Sequence, residues 1–199
     1  MLNEDHYIKE VAKGSEDALK ALYELFSIQV YNTILSYTKN QEDAQELLQD
    51  VFVAVYNSAN SFKFGSSVST WIYRIAINKS IDFLRKKSTK QRKGLLSIYR
   101  KDSLEIEHDN PDFVHPGVQL EQKEDAKLLF RVIDKLPINQ RTAFILTQIE
   151  GLSQNEASEI METSRKAVES LVQRAKGNLR KELEKYFPER GNSSEKTTK

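Results

Sequence analysis

The chain has 199 residues, 39% of them hydrophobic, which is enough apolar material for one domain or two small ones. It contains no cysteine, and its three histidines, His6, His108 and His115, lack metal-ligand spacing. Disulfide frameworks, thiolate zinc sites and cysteine nucleophiles are therefore excluded, and no metal or cofactor is expected. The acidic start MLNEDHYIKE lacks the order of a signal peptide, and no apolar run approaches the ~20 residues of a membrane span, so a cytoplasmic protein without membrane insertion is expected.

All the predicted elements are helices. Ser15, followed by Glu16 and Asp17, signals a helix start, with an N-cap oxygen and acids in the first turn, and the pattern continues to about Tyr37. Asn40 opens the next helix, in which Ala44, Leu47, Leu48, Val51 and Val55 form one apolar stripe and Asp43, Glu46, Gln49 and Asp50 are left as a polar, acidic strip. The glycine and serines of SFKFGSS, 61–67, interrupt the pattern before a third helix from about Ser69 to Lys87. Trp71, flanked by Ile72, Ile75 and Ala76, is read as a core residue rather than a stacking one.

Charge is segregated along the chain although its net value is only +1. Residues 71–101 carry ten Lys or Arg against the single acid Asp82, a block suited to nucleic-acid phosphates, whereas residues 102–125 carry eight acids and one lysine. Pro111, Pro116, Gly117 and the lack of periodicity mark a linker there.

Beyond the linker, Pro137 at a helix N1 position and Gly151 at C′ frame one helix. Ser153 and Glu156 have capping-box spacing, with Leu152 and Ala157 placed as its hydrophobic staple, and this short helix ends near Met161. After a turn at Glu162 and Thr163, a longer helix puts Val168, Leu171, Val172, Ala175 and Leu179 on one side. Lys166, Ser170, Gln173 and Gly177 lie opposite, with Glu169 and Arg174 at the flanks. This is helix-turn-helix organisation; a three-helix bundle with a wet outer face gives the same pattern. The final PERGNSSEKTTK is expected to be a disordered tail.

Three segments together, DAQELLQDVFVAVY (43–56), STWIYRIAINKSIDFLRKK (69–87) and LPINQRTAFILTQIEGLSQNEASEIMETSRKAVESLVQRAKGNLRKEL (136–183), resemble the signature segments of the extracytoplasmic-function sigma factors of the sigma-70 family. The resemblance implies an all-α protein of two small helical domains. A region 2 domain (1–95) binds core RNA polymerase and recognises and melts the downstream promoter element. An acidic flexible linker (96–122) follows, then a region 4 helix-turn-helix domain (123–187) for the upstream element and a disordered tail (188–199).

By the same resemblance, Asp43, Glu46, Gln49 and Asp50 dock on a coiled coil of the largest polymerase subunit. The DNA-contacting set comprises Ser66, Ser67, Arg74, Asn78, Lys79, Asp82, Arg85 and Lys86 in the first domain, and Arg165, Lys166, Glu169, Ser170, Gln173 and Arg174 in the second. The loop 60–69 is where the family captures an unstacked base, although Val68 stands where many relatives carry an aromatic residue. The partners implied are core polymerase, duplex promoter DNA, melted single strand and an anti-sigma factor.

Two departures from the family pattern stand out. Glu162 replaces the glycine common in the turn, and Glu169 and Leu171 occupy positions where relatives often carry basic residues. Glu169 either pairs with Arg165 or Gln173 along the helix, or accepts a hydrogen bond from cytosine N4. No glycine-rich phosphate loop, histidine-centred nucleophile or carboxylate cluster suggests an enzyme. The competing non-enzymatic readings are a dimeric helix-turn-helix repressor independent of polymerase and a helical adaptor, the latter opposed by the basic block.

Overall fold

A computed structural model describes residues 4–98 and 123–187, which form two compact helical units. In the first, α1 (Glu4–Ala12), α2 (Glu16–Thr38), α3 (Gln41–Ser58), a short 3-10 turn (Ala59–Ser61) and α4 (Val68–Ile98) follow in order. The start signals act as the sequence suggests. The Ser15 side chain accepts from the Ala18 amide at 3.2 Å, and the Asn40 side chain accepts from the Asp43 amide at 2.9 Å, satisfying donors that a helix leaves orphaned.

The α3 stripe is fully used, since Ala44, Leu47, Leu48, Val51 and Val55 are all buried, and α2 packs on both α3 and α4. Burial of each such Val or Leu is worth about 1.5–3 kcal/mol. Hydroxyls in this core are satisfied locally: Thr33, Ser36 and Ser80 each donate to the carbonyl four residues earlier, so α2 and α4 bury them without orphaning a donor.

Two features of this unit go beyond the sequence expectation. Helix α1 has no clear signal in the sequence; it packs on α2 through Ile8 and Val11, and a nine-residue helix owes its existence to such packing rather than to propensity. Helix α4 starts at Val68 and continues to Ile98 instead of ending near Lys87. Beyond Lys87 the sequence is polar and no longer periodic, so the signal stops while the helix does not.

The second unit contains α5 (Lys123–Asp134), α6 (Ile138–Phe144) extended by a π-helical turn (Ile145–Ile149), α7 (Gln154–Ile160) and α8 (Arg165–Leu183). Pro137 is the N-cap of α6 rather than N1, and Gly151 follows the π turn with φ +71°, the left-handed geometry expected at C′. The capping box forms in both directions, with Glu156 accepting from the Ser153 amide at 2.8 Å and Ser153 accepting from the Glu156 amide at 3.2 Å. Ala157 is buried beneath it and Leu152 is half-buried.

Helices α5, α6 and α7 all pack on α8, whose Val168, Val172, Ala175 and Leu179 are buried while Leu171 is half-buried. Polar ties lie around this core. The buried Arg141 pairs with Asp134 at 3.1 Å, and Lys135 donates to Glu182 at 2.8 Å. Hydrogen bonds from Lys135 and then Lys185 hold the Glu182 carboxyl down at about 2.

A carboxyl lowered by folding contributes stability above its free value and loses it as pH falls through the folded value. The tie between the end of α5 and α8 is therefore expected to persist well into acid. A carbon-13 titration of Glu182 should have its midpoint near 2, and a midpoint at the ordinary 4.5 would show the tie to be absent in solution. The expected linker 96–122 and tail 188–199 lie outside the described residues, apart from the end of α4.

Candidate polymerase and nucleic-acid surfaces

At 100° per residue the four acidic-strip residues of α3 fan over about 120°, in the order Asp43, Asp50, Glu46, Gln49, so that Asp43 stands at one edge and Gln49 at the other. Asp50 lies 3.7 Å from Lys79, and Asp43 lies 3.7 Å from Lys87, so both aspartates are turned to α4. Glu46 and Gln49 are exposed, and Glu46 forms no ion pair with the described residues. On their stripe the structure adds Val53, 57% exposed, and Tyr56, 39% exposed. Sequence reasoning missed these two. The available signal was two apolar residues standing off the buried stripe of α3.

Between α3 and α4 runs a groove of about 500 Å³ lined by acids of α3 and by Lys79, Asp82, Lys86 and Lys87 of α4, with Leu47 and Phe83 at its floor. Lys79, Asp82 and Lys86, expected on the DNA side, thus line the same groove as Asp43, Glu46 and Asp50, expected on the polymerase side. Asn78 and Arg85, both exposed, stand beside this groove on the side of α4 next to Asp82, to which Arg85 donates at 3.4 Å. Arg74, on the same line, is half-buried and already engaged.

The connection 61–67 is held from both ends. Ser67 is the working cap of α4: its Oγ accepts from the Thr70 amide at 3.1 Å and lies 2.8 Å from the Thr70 hydroxyl and 2.9 Å from that of Ser69. Ser66 is half-buried and donates to the Ser67 carbonyl at 3.4 Å. Because Ser67 holds the helix start, Ser67→Ala is expected to lower the stability of the first unit by about 1 kcal/mol, a typical N-cap loss, measured by urea unfolding without any nucleic acid.

Val68 is buried, while Phe62 packs on Trp71 at 4.9 Å between ring centroids and Phe64 packs on Phe62 at 4.8 Å. Trp71 is accordingly half-buried in an aromatic cluster rather than enclosed in the core. The aromatic character absent from position 68 stands at 62 and 64, visible in SFKFGSS but overshadowed by its serines.

In the second unit, Glu162 adopts φ +51°, a conformation costing a non-glycine residue roughly 1–2 kcal/mol. That accounts physically for a glycine preference at such a turn. Ser164 caps α8 by accepting from the Ala167 amide at 3.2 Å. Arg165, Lys166, Glu169, Ser170, Gln173 and Arg174 are all exposed on α8. Arg165 reaches back to Gln154 of α7 at 3.4 Å instead of pairing with Glu169, which makes no ion pair with the described residues. The helical pairing considered for Glu169 with Arg165 is therefore not formed.

No described helix is long and apolar enough to cross a membrane. The sigma-70 region 2 family profile matches residues 22–90, and the sigma-70 region 4 profile matches residues 126–179. The chain is 28% identical over 181 residues to the ECF RNA polymerase sigma factor SigW of Bacillus subtilis (strain 168), covering 88% of this chain and 94% of that protein. It is 25% identical over 175 residues to the ECF RNA polymerase sigma-E factor of Escherichia coli (strain K12), covering 88% and 91%. The fold is similar to that of CnrH solved in complex with the cytosolic domain of CnrY (TM-score 0.63, 22% identity, 89% of this chain and 95% of that one). It is also similar to the sigma factor RpoE of Bartonella quintana in complex with the anti-sigma factor NepR (TM-score 0.61, 23% identity, 83% and 96%).

Proposed function

This chain belongs to the sigma-70 family, and from that membership we propose that it binds core RNA polymerase in the cytoplasm and directs transcription initiation at a two-element promoter. The supporting observation is the joint presence, in one chain, of the α3 strip, the cationic α4 and a capped helix-turn-helix with an exposed polar face. The family is not an enzyme family, and no catalytic role is assigned.

The proposed division of labour follows the two units. In the domain proposed for 1–95, Glu46 and Gln49, extended by Val53 and Tyr56, dock on polymerase, with Asp43 and Asp50 at the edge of the contact. Asn78, Arg85 and the loop 60–69 engage the melted downstream element, and Lys79 and Lys86 serve phosphates. In the domain proposed for 123–187, α8 reads the upstream element in the major groove. Residues 96–122 are proposed as the connecting linker. An anti-sigma partner is proposed by extension from the complex of the structural relative RpoE with the anti-sigma factor NepR.

Fluorescence anisotropy on duplex promoter DNA, with and without core polymerase, tests this reading. High-affinity binding only in the presence of core is expected. Tight binding of the chain alone as a dimer would instead establish the repressor reading.

Glu169 supplies a sharper arm. With no ion partner on α8, its carboxylate is free to accept from cytosine N4, and a good base contact is worth about 1–3 kcal/mol of discrimination. Glu169→Ala is expected to relax preference at one upstream cytosine by that amount in abortive transcription on templates varied base by base. Equal activity change on all templates would make the acid a non-reading residue.

A further inference from the structure

The tie between Arg165 and Gln154 joins the first residue of α8 to the first residue of α7, although Arg165 has an acid on its own helix. Glu169 lies one turn along α8 from Arg165, at the i,i+4 spacing where opposite charges pair, and side chains on a helix lean toward its N-terminus. The Glu169 side chain is therefore directed back over the turn that carries Arg165. Both residues are exposed, yet Arg165 Nε donates to Gln154 Oε1 at 3.4 Å and Glu169 makes no ion pair with the described residues.

The fold holds the two helix starts where this contact can form. The two-way capping box of Ser153 and Glu156 sets the start of α7, the Ser164 cap sets the start of α8, and Glu162 fixes the turn between them in a left-handed conformation. Ala157 and Ile160 of α7 and Val168 and Val172 of α8 are buried where the two helices pack, which keeps their starts at one spacing. Arginine carries donors only, so the Gln154 atom that faces it is the amide oxygen.

We propose that Gln154 is a specificity-determining positioning residue: by drawing the Arg165 guanidinium onto α7 it keeps α8 from neutralising its own acid. The Glu169 carboxylate then stays open to a base in the major groove. Without Gln154, the guanidinium has Glu169 one turn away as its partner, and that ion pair must be given up before the carboxylate accepts from cytosine N4. The contact is long, and its value lies in where it directs the cation rather than in its own strength. The proposal rests on the reading of Glu169 as a base acceptor, and Gln154 itself touches no base in it.

The test uses holoenzyme assembled from core polymerase and the full chain. Abortive transcription is measured at subsaturating promoter on two templates, one with the upstream cytosine at which Glu169→Ala relaxes preference and one with another base there. The ratio of the two rates comes from one enzyme preparation, so any fall in its folded fraction cancels. Gln154→Ala is expected to lower the ratio about twofold, the worth of an exposed i,i+4 ion pair. Gln154→Glu, which keeps an oxygen at the same reach, is expected to retain it. In an Arg165→Gln background, which has no guanidinium to release, Gln154→Ala is expected to leave the ratio where Arg165→Gln alone puts it.

An unchanged ratio in Gln154→Ala, with Glu169→Ala still relaxing it, would overturn the proposal and leave the acid as a base reader. A loss that persists in the Arg165→Gln background, or one as large in Gln154→Glu as in Gln154→Ala, would overturn it too, because Gln154 would then act without holding the guanidinium. If Glu169→Ala left the preference of the wild-type holoenzyme unchanged at every upstream position, the base-acceptor reading would fall first and the proposal with it.

Discussion

Glu46→Lys combined with Gln49→Ala is expected to weaken binding of core RNA polymerase at least about a hundredfold while leaving the circular dichroism spectrum unchanged. Both side chains are exposed on α3, and neither supports the fold: the helix is held by its buried stripe and by the Asn40 cap. Charge reversal at an interface places like charges opposite one another, which costs several kcal/mol, and each 1.4 kcal/mol is tenfold in affinity. Asp50 is a poorer choice for reversal, because a lysine there would face Lys79, now 3.7 Å from the Asp50 carboxylate, and would disturb the α3–α4 contact at the same time. Surface plasmon resonance against immobilised core measures the effect, and retained affinity would move the docking surface away from α3.

Asn78→Ala with Arg85→Ala is expected to reduce open-complex formation by about one and a half to four orders of magnitude, with core binding intact. A hydrogen bond from either side chain to a base edge is worth about 1–3 kcal/mol, and the double variant removes both. Both residues are exposed, and the Arg85 side chain, 75% exposed, is tied among the described residues to Asp82 at 3.4 Å, an arrangement that contributes little to stability and leaves the guanidinium available. Arg74 is unsuitable for the same test because it is half-buried, so its removal would perturb packing as well. Permanganate reactivity of promoter thymines reports the melted region directly; an unchanged footprint would remove this face of α4 from promoter opening.

Elements dominated by local chemistry are legible in the sequence. Ser15, Asn40 and the Ser153–Glu156 box each declare a helix start by offering an oxygen to an orphan amide, and each does so in the structure. The apolar stripes of α3 and α8 are likewise periodic enough to be read directly. What stays hidden depends on tertiary context. Helix α1 is too short to announce itself, and the continuation of α4 past Lys87 has no apolar periodicity.

The site is legible in its residue types and less so in its grouping. Asp43 and Asp50 belong chemically to an acidic strip, yet rotation about α3 turns them to Lys87 and Lys79. Ser67 looks suited to a base edge but is engaged at the start of α4. Helical phase and packing partners decide such matters, and residue identity alone does not carry them.

Whether this chain confers promoter-specific initiation on a polymerase that lacks it is tested most directly by transcription from genomic fragments. Purified core enzyme is used with and without the full chain, and RNA 5′ ends are mapped. Discrete start sites are expected only when both components are present, each preceded by the same two sequence elements at fixed spacing. Tight binding of the chain alone to duplex DNA, with no new start sites when core is added, would contradict promoter-specific initiation as its role.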